Sequence, residues 1–210
     1  MRPLLCFSVL LSLGACTPSA SPPGWSGSAP SPRARPASSG QVAPARPSLD
    51  AADLARRVHG ATNEARRRQG AAELAWDGRL VPVAAGHSRD MAQRGFFDHV
   101  TPDGLTPNDR ARRESVDCRA ALGGGRERVG VLENLYKTSR WTSWTERTVG
   151  GRTTRDYAWQ TAGEITRAVV DGWLGSPGHR RNLLDPTARS AAVAVAFARD
   201  DAVYVTQVLC

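Results

Sequence analysis

The chain has 210 residues, with 28 Lys and Arg against 20 Asp and Glu, a formal charge of +8. A basic balance of that size points to anionic partners, either nucleic acid or a membrane surface. Nucleic acid is set aside by the export signal described next. Lys137 is the only lysine, and arginine runs through the whole chain, from Arg66-Arg67-Arg68 to Arg112-Arg113 and Arg180-Arg181. That reads as genomic composition more than as a binding face, and leaves anionic envelope partners as the class to expect.

Met1-Arg2 is followed by an apolar run from Leu4 to Leu13, too short to span a bilayer and suited to a signal-peptide core, so residues 1–15 are expected to be a signal. The run ends in Leu13-Gly14-Ala15-Cys16, which resembles the lipobox of bacterial lipoproteins and makes Cys16 the expected lipidation site. The alternative is an ordinary cleavage after Ala15; either way the domain is exported. Residues 16–48 hold eight of the fourteen prolines among Ser, Ala and Gly, without apolar periodicity, and read as a disordered tether that includes Trp25. With Cys6 inside the signal and Cys16 acylated, Cys118 and Cys210 remain. An even pair in an exported chain favours a disulfide between them.

Residues 49–210 read as one domain, long enough to bury one core. Leu54, Val58, Ala61 and Ala65 recur at helical spacing between Asp50 and Gln69, with arginines on the opposite face and Gly70 as the stop. A short extended piece around Leu74-Ala75-Trp76 leads to a second helix from about Leu80, whose buried stripe is Leu80, Ala84, His87 and Met91. His87 is expected to pack between core and solvent. Phe96 and Phe97 anchor the next segment, with His99 at its exit, and Thr106-Pro107-Asn108-Asp109 announces a short third helix. Cys118 to Arg128, around Gly123-Gly124-Gly125, reads as a loop. Val129 to Leu135 sets Glu133 in an apolar run, where a carboxylate must face solvent or find a partner.

Residues 136–160 carry Tyr136, Trp141, Trp144, Tyr157 and Trp159 without clean periodicity. They form either a flap inserted over the core, which is favoured, or an aromatic surface on which Trp141, Trp144 and Trp159 touch a ligand. Thr161 and Glu164 make a capping box for a helix whose apolar face is Ile165, Ala168, Val169 and Trp173. That helix is expected to end at a left-handed Gly175, with Ser176-Pro177-Gly178 delivering His179 on a turn. Ala191–Ala198 and Ala202–Leu209 flank Asp200-Asp201 as an antiparallel hairpin. The fold class is α+β, with at least four helices and a sheet of three or four strands.

Four signatures stand in order: FFDH at Phe96–His99, ENL at Glu133–Leu135, SPGHRRNLL at Ser176–Leu184 and VYVTQVLC at Val203–Cys210. With NEARRRQG in helix one and AxxHSRDMA in helix two, they resemble the CAP superfamily (cysteine-rich secretory proteins, antigen 5 and pathogenesis-related-1), above all its bacterial SCP-domain branch. The resemblance covers residues 53–210. It implies a three-layer α-β-α sandwich with a small, mostly antiparallel sheet and a cleft where two histidines and acidic residues sometimes hold a divalent cation. His99, Glu133 and His179 fall on those positions, so zinc or a similar ion is the expected cofactor. The second acid, found after a tryptophan in eukaryotic members, has no match, since Leu174, Gly175 and Ser176 follow Trp173.

Two functions from different classes follow. One is a non-enzymatic, lipid-anchored and monomeric module of the bacterial cell envelope that binds a hydrophobic small molecule or other envelope component. The other is a metal-assisted hydrolase or protease, with His99 and His179 as ligands and Glu133 as general base. A ligand set of two histidines and one acid is thin for the second, because the acid cannot readily be both ligand and base. Ser176 in GSPG lacks the strand-to-helix elbow of a nucleophilic serine. The binding module is therefore the favoured expectation.

Overall fold

A computed structural model describes residues 45–210; the signal, Cys16 and nearly all of the tether, Trp25 included, lie outside the described residues. The elements in chain order are α1 (Ala51–Arg68), β1 (Ala75–Trp76), a 3-10 turn (Gly78–Leu80), α2 (Val81–Arg94), α3 (Pro107–Arg113), β2 (Arg119–Gly123), β3 (Arg126–Val129), β4 (Leu132–Ser139), β5 (Trp141–Val149), β6 (Arg152–Trp159), α4 (Ala162–Gly175), α5 (Pro177–Leu183), β7 (Ser190–Phe197) and β8 (Ala202–Leu209).

The caps set the helix starts. The Asp50 carboxylate accepts the Asp53 amide at 2.7 Å, and Thr106–Asp109 and Thr161–Glu164 close reciprocal capping boxes on α3 and α4. Each supplies partners for first-turn amides that no helical carbonyl can reach.

The central sheet has the order β1-β7-β8-β4, with β1 parallel to β7 and the other pairs antiparallel. All eight residues of β8 are buried because helices cover both its faces. Val203 and Val205 join Leu54, Val58, Ile165, Val169 and Trp173 in the core shared with α1 and α4. Val208 joins Leu80, Val83, Ala84 and Ala192 on the α2 side. The alternation that points successive strand residues to opposite faces thus feeds two helical layers from one sheet, which is the α-β-α sandwich. Polar groups between the layers are paired: Ser88 Oγ donates to Thr206 Oγ1 at 2.8 Å, and Gln207 Nε2 donates to Thr62 Oγ1 at 3.2 Å.

Several expectations are corrected. Arg66 is not on the exposed face of α1 but fully buried, donating to the carbonyls of Ala72, Leu183 and Asp185. The stretch after Cys118 is not a loop: β2 and β3 pair as an antiparallel hairpin, turned by Gly123, Gly124 and Gly125, all at positive φ. Residues 136–139 complete β4, while β5 and β6 form a two-stranded sheet that pairs with no other strand among the described residues. His87 is fully buried instead of packing at the solvent boundary. Finally, α4 stops without a left-handed Gly175. Ser176 turns extended at φ −97° and ψ 119°, Pro177 takes the first position of α5, and His179 rides in that helix's first turn.

Cys118 and Cys210 are joined by a disulfide across 92 residues. It ties the entry of β2 to the end of β8.

Candidate functional site

The site lies along β4, the edge strand of the central sheet. Glu133 and Leu135 share one face of that strand, turned toward α2 and α3, while Asn134 points to the α5 side. The edge is closed by side chains: Trp173 Nε1 donates to the Leu135 carbonyl at 2.9 Å, and Asn182 Nδ2 donates to the Glu133 carbonyl at 3.0 Å. Asn182 also donates to Asn134 Oδ1 at 3.1 Å, and Asn134 Nδ2 donates to the His179 carbonyl at 3.2 Å and to Gln207 Oε1 at 3.0 Å. This amide chain seats the first turn of α5, and with it His179, against the strand.

On the other face, the Glu133 side chain is only 1% exposed, yet both its oxygens have charged or polar partners. Arg110 Nη2 donates to Oε2 at 2.6 Å, and His99 Nδ1 lies 2.8 Å from Oε1. Arg110 Nη1 donates to the carbonyls of His99 and Leu105, each at 2.9 Å. One guanidinium from α3 therefore fixes both the carboxylate and the loop that carries His99. His87 stands behind, with Nε2 2.9 Å from the Asp98 carbonyl and 3.9 Å from Glu133 Oε1. A carbonyl accepts only, so Nε2 of His87 carries its proton. By the same argument the His99 Nδ1 that faces the carboxylate carries a proton, so that in the neutral ring the lone pair is on Nε2.

The rings of His99 and His179 lie 6.2 Å apart between centroids. Together with Phe97, Asp98 and Leu135 they line a cavity of about 240 Å³. Burial holds the His179 imidazole below its ordinary range, with the neighbouring His99 pushing the same way. Burial likewise lowers His87, outweighing the opposing pull of Glu133.

His99, Glu133 and His179 thus meet at one strand, although far apart in sequence. Their donor set does not fit a three-ligand metal centre as it stands. Both oxygens of Glu133 are engaged, and among the described residues no group of three His, Cys, Asp or Glu side chains could hold an ion. Two imidazoles remain to hold a cation, His99 through Nε2 and His179, with Glu133 behind His99 as its orienting partner.

Trp141, Trp144 and Trp159 stand on the β5–β6 hairpin and do not line this cavity. Tyr157 packs against both Trp141 and Trp159, at 5.7 and 5.0 Å between ring centroids. Arg155 lies over Trp144 at 4.6 Å. Sequence reasoning missed Arg110, Asn134 and Asn182. Arg110 is one of three arginines in Arg110-Ala111-Arg112-Arg113, and only its inward position on α3 separates it from the others; the available signal was that buried Glu133 needed a partner.

Residues 59–209 match the model of the CAP, cysteine-rich secretory protein, family. The chain belongs to the CAP family. This CAP domain is 31% identical over 124 residues to the uncharacterized membrane protein YlbC of Bacillus subtilis (strain 168), a match covering 59% of this chain and 26% of that protein. Against the uncharacterized protein YkwD of the same organism it is 27% identical over 125 residues, or 60% of this chain and 35% of YkwD. The match therefore spans about a quarter to a third of each curated relative. Among solved structures, an outer surface protein from Borrelia burgdorferi aligns with a TM-score of 0.53 at 15% identity, covering 77% of this chain and 94% of that one. At that identity the likeness speaks for the fold alone.

Proposed function

We propose that this CAP-domain protein is an exported, membrane-tethered binding module that takes a hydrophobic or amphiphilic component of the bacterial cell envelope into the cleft beside β4, without chemistry. The observation that carries this reading is the internal satisfaction of the site's acid. With Glu133 buried and paired on both oxygens, what the cleft offers a visitor is Phe97, 46% exposed, with Leu135, two imidazoles and Asp98, one of whose oxygens already accepts the Val100 amide. That is an apolar wall with few orienting polar groups, the usual make-up of a small-molecule site. Export is supported by the signal-like N-terminus and by the surface or membrane descriptions of two relatives. Among the described residues no helix is long and apolar enough to cross a membrane, and the anchor in this reading is lipid on Cys16.

The test is mass spectrometry of what co-purifies with the protein from its own envelope. A discrete amphiphile, lost in Phe97→Asp, is the expected result. Replacing Cys16 by Ser should move the protein out of the membrane fraction.

One observation favours hydrolysis as a second reading: the Glu133–His99 hydrogen bond orients an imidazole with a bare Nε2, as a general base requires. In that case His99 would be the base and Glu133 its positioning partner. Discrete peptide or ester cleavage by the purified protein, abolished in His99→Gln, would favour this reading over the first.

A further inference from the structure

We propose that Arg110 is the resident cation of the cleft: an intramolecular guanidinium that takes up the charge of Glu133 and makes the site independent of any divalent ion. The proposal concerns the site's charge and holds whichever molecule the cleft binds.

A buried carboxylate requires a counter-charge, because water is not there to solvate it. A metal can provide one, and so can a side chain. Here the Arg110 side chain is 9% exposed and donates to Glu133 Oε2 at 2.6 Å. Its other terminal nitrogen is committed to two backbone carbonyls, so the head group cannot swing away without breaking three hydrogen bonds at once. Glu133 Oε1 is spent on the proton of His99 Nδ1. An ion arriving between His99 and His179 would therefore meet two imidazoles and, one residue deeper, a carboxylate already neutralised and flanked by a fixed positive charge. Repulsion from that guanidinium acts through a poorly screened interior, where charges are felt more strongly than in water. Arg110 does for Glu133 what a bound metal would do, orienting it and balancing its charge, but it is covalently part of the chain and cannot be stripped.

The expected sign runs against intuition: removing a residue should create cation affinity. In the full chain carrying Cys6→Ser and Cys16→Ser, so that no thiol competes, Zn²⁺ affinity is measured by competition with a chromophoric chelator. Arg110→Gln should bind Zn²⁺ at least about tenfold more tightly than the parent, since Glu133 is then an unbalanced anion beside two imidazoles. The double variant Arg110→Gln, Glu133→Gln should return to the parental value. Equal affinity of Arg110→Gln and the parent overturns the proposal, and so does a gain that survives in the double variant.

Should Arg110→Gln fail to fold, the parent alone decides the matter. The side-chain carboxylate ¹³C resonance of Glu133 should hold its position as Zn²⁺ saturates the protein, with the His99 ring still protonated on Nδ1. A zinc-induced shift of that carboxylate, or loss of the Nδ1 proton, would show Glu133 ligating the ion and sink the idea. These measurements read the ion only, so failure to find an envelope ligand leaves them unaffected.

Discussion

Glu133 on β4 and Glu146 on β5 are each paired with an arginine, in strands adjacent in sequence, yet they live under opposite physics. The Glu133–Arg110 pair joins an edge strand of the sandwich to α3, with both side chains nearly sealed from water. The Glu146–Arg155 pair faces itself across the β5–β6 hairpin, with side chains 43% and 54% exposed. In the first region every member of the network constrains another through long-range contacts. In the second, order comes from local cross-strand neighbours, with Tyr157 packed at a tilt against two tryptophans and Arg155 over a third. An ion pair matters where the solvent cannot replace either partner, and matters little where it can.

The contrast is broken most forcefully by cutting the buried pair. Arg110→Ala leaves Glu133 charged, buried and without its counter-ion, and should cost about 3–5 kcal/mol in urea unfolding. A loss below about 1 kcal/mol would mean that the carboxylate reaches water and that the two regions do not differ. Next in size is the covalent tie. The double variant Cys118→Ser, Cys210→Ser removes a crosslink closing about 90 residues, worth up to ~4–5 kcal/mol in the chain-entropy model and typically about 2–4. Urea unfolding followed by hydrogen exchange should show the β2–β3 hairpin opening first, because the bond anchors its entry.

Acidification should separate the regions without mutation. His59, His87 and His179 all titrate below the ordinary histidine value of 6.5, chiefly because burial penalises the charged ring. The unfolded chain therefore binds protons first as pH falls through about 6.5, and stability declines from there downward, while it is flat above. Melting curves between about pH 8 and 5 should show that decline, and it should shrink in His87→Gln. A melting temperature unchanged down to about pH 5 would show that these rings protonate freely in the fold. The smallest effect belongs to the hairpin. Glu146→Ala, or replacement of residues 142–158 by two glycines, should move the melting temperature of the sandwich by no more than a few degrees, since among the described residues β5 and β6 pair only with each other. A collapse in stability would show that the aromatic face is a clamp on the core.

Much of the fold is legible in the residues themselves. Capping signals at Thr106 and Thr161 place two helix starts, the spacing of Leu80, Ala84, His87 and Met91 marks a buried face, and the flanks of Asp200-Asp201 mark the last hairpin. These are local matters: a helix cap or a period of 3.6 or 2 is written within a few residues. Ser176-Pro177 likewise announces a break, but not that a helix restarts there at once, because a proline that stops one helix also suits the first position of the next.

Tertiary structure alone decided which like residues differ in role. Arg66 and Arg110 have the same chemistry as the exposed arginines beside them, and nothing in their immediate sequence reveals that one seats α5 and the other balances Glu133. The aromatic stretch beyond β4 has its Trp and Tyr content in plain view, while its self-pairing depends on there being no place for a fifth strand on an edge that Trp173 and Asn182 already cap. A sequence records what each side chain is able to do. Burial and the partner brought from far along the chain select which of those things it does, because the energy of a charge or a hydrogen bond depends on whether water is there to compete for it.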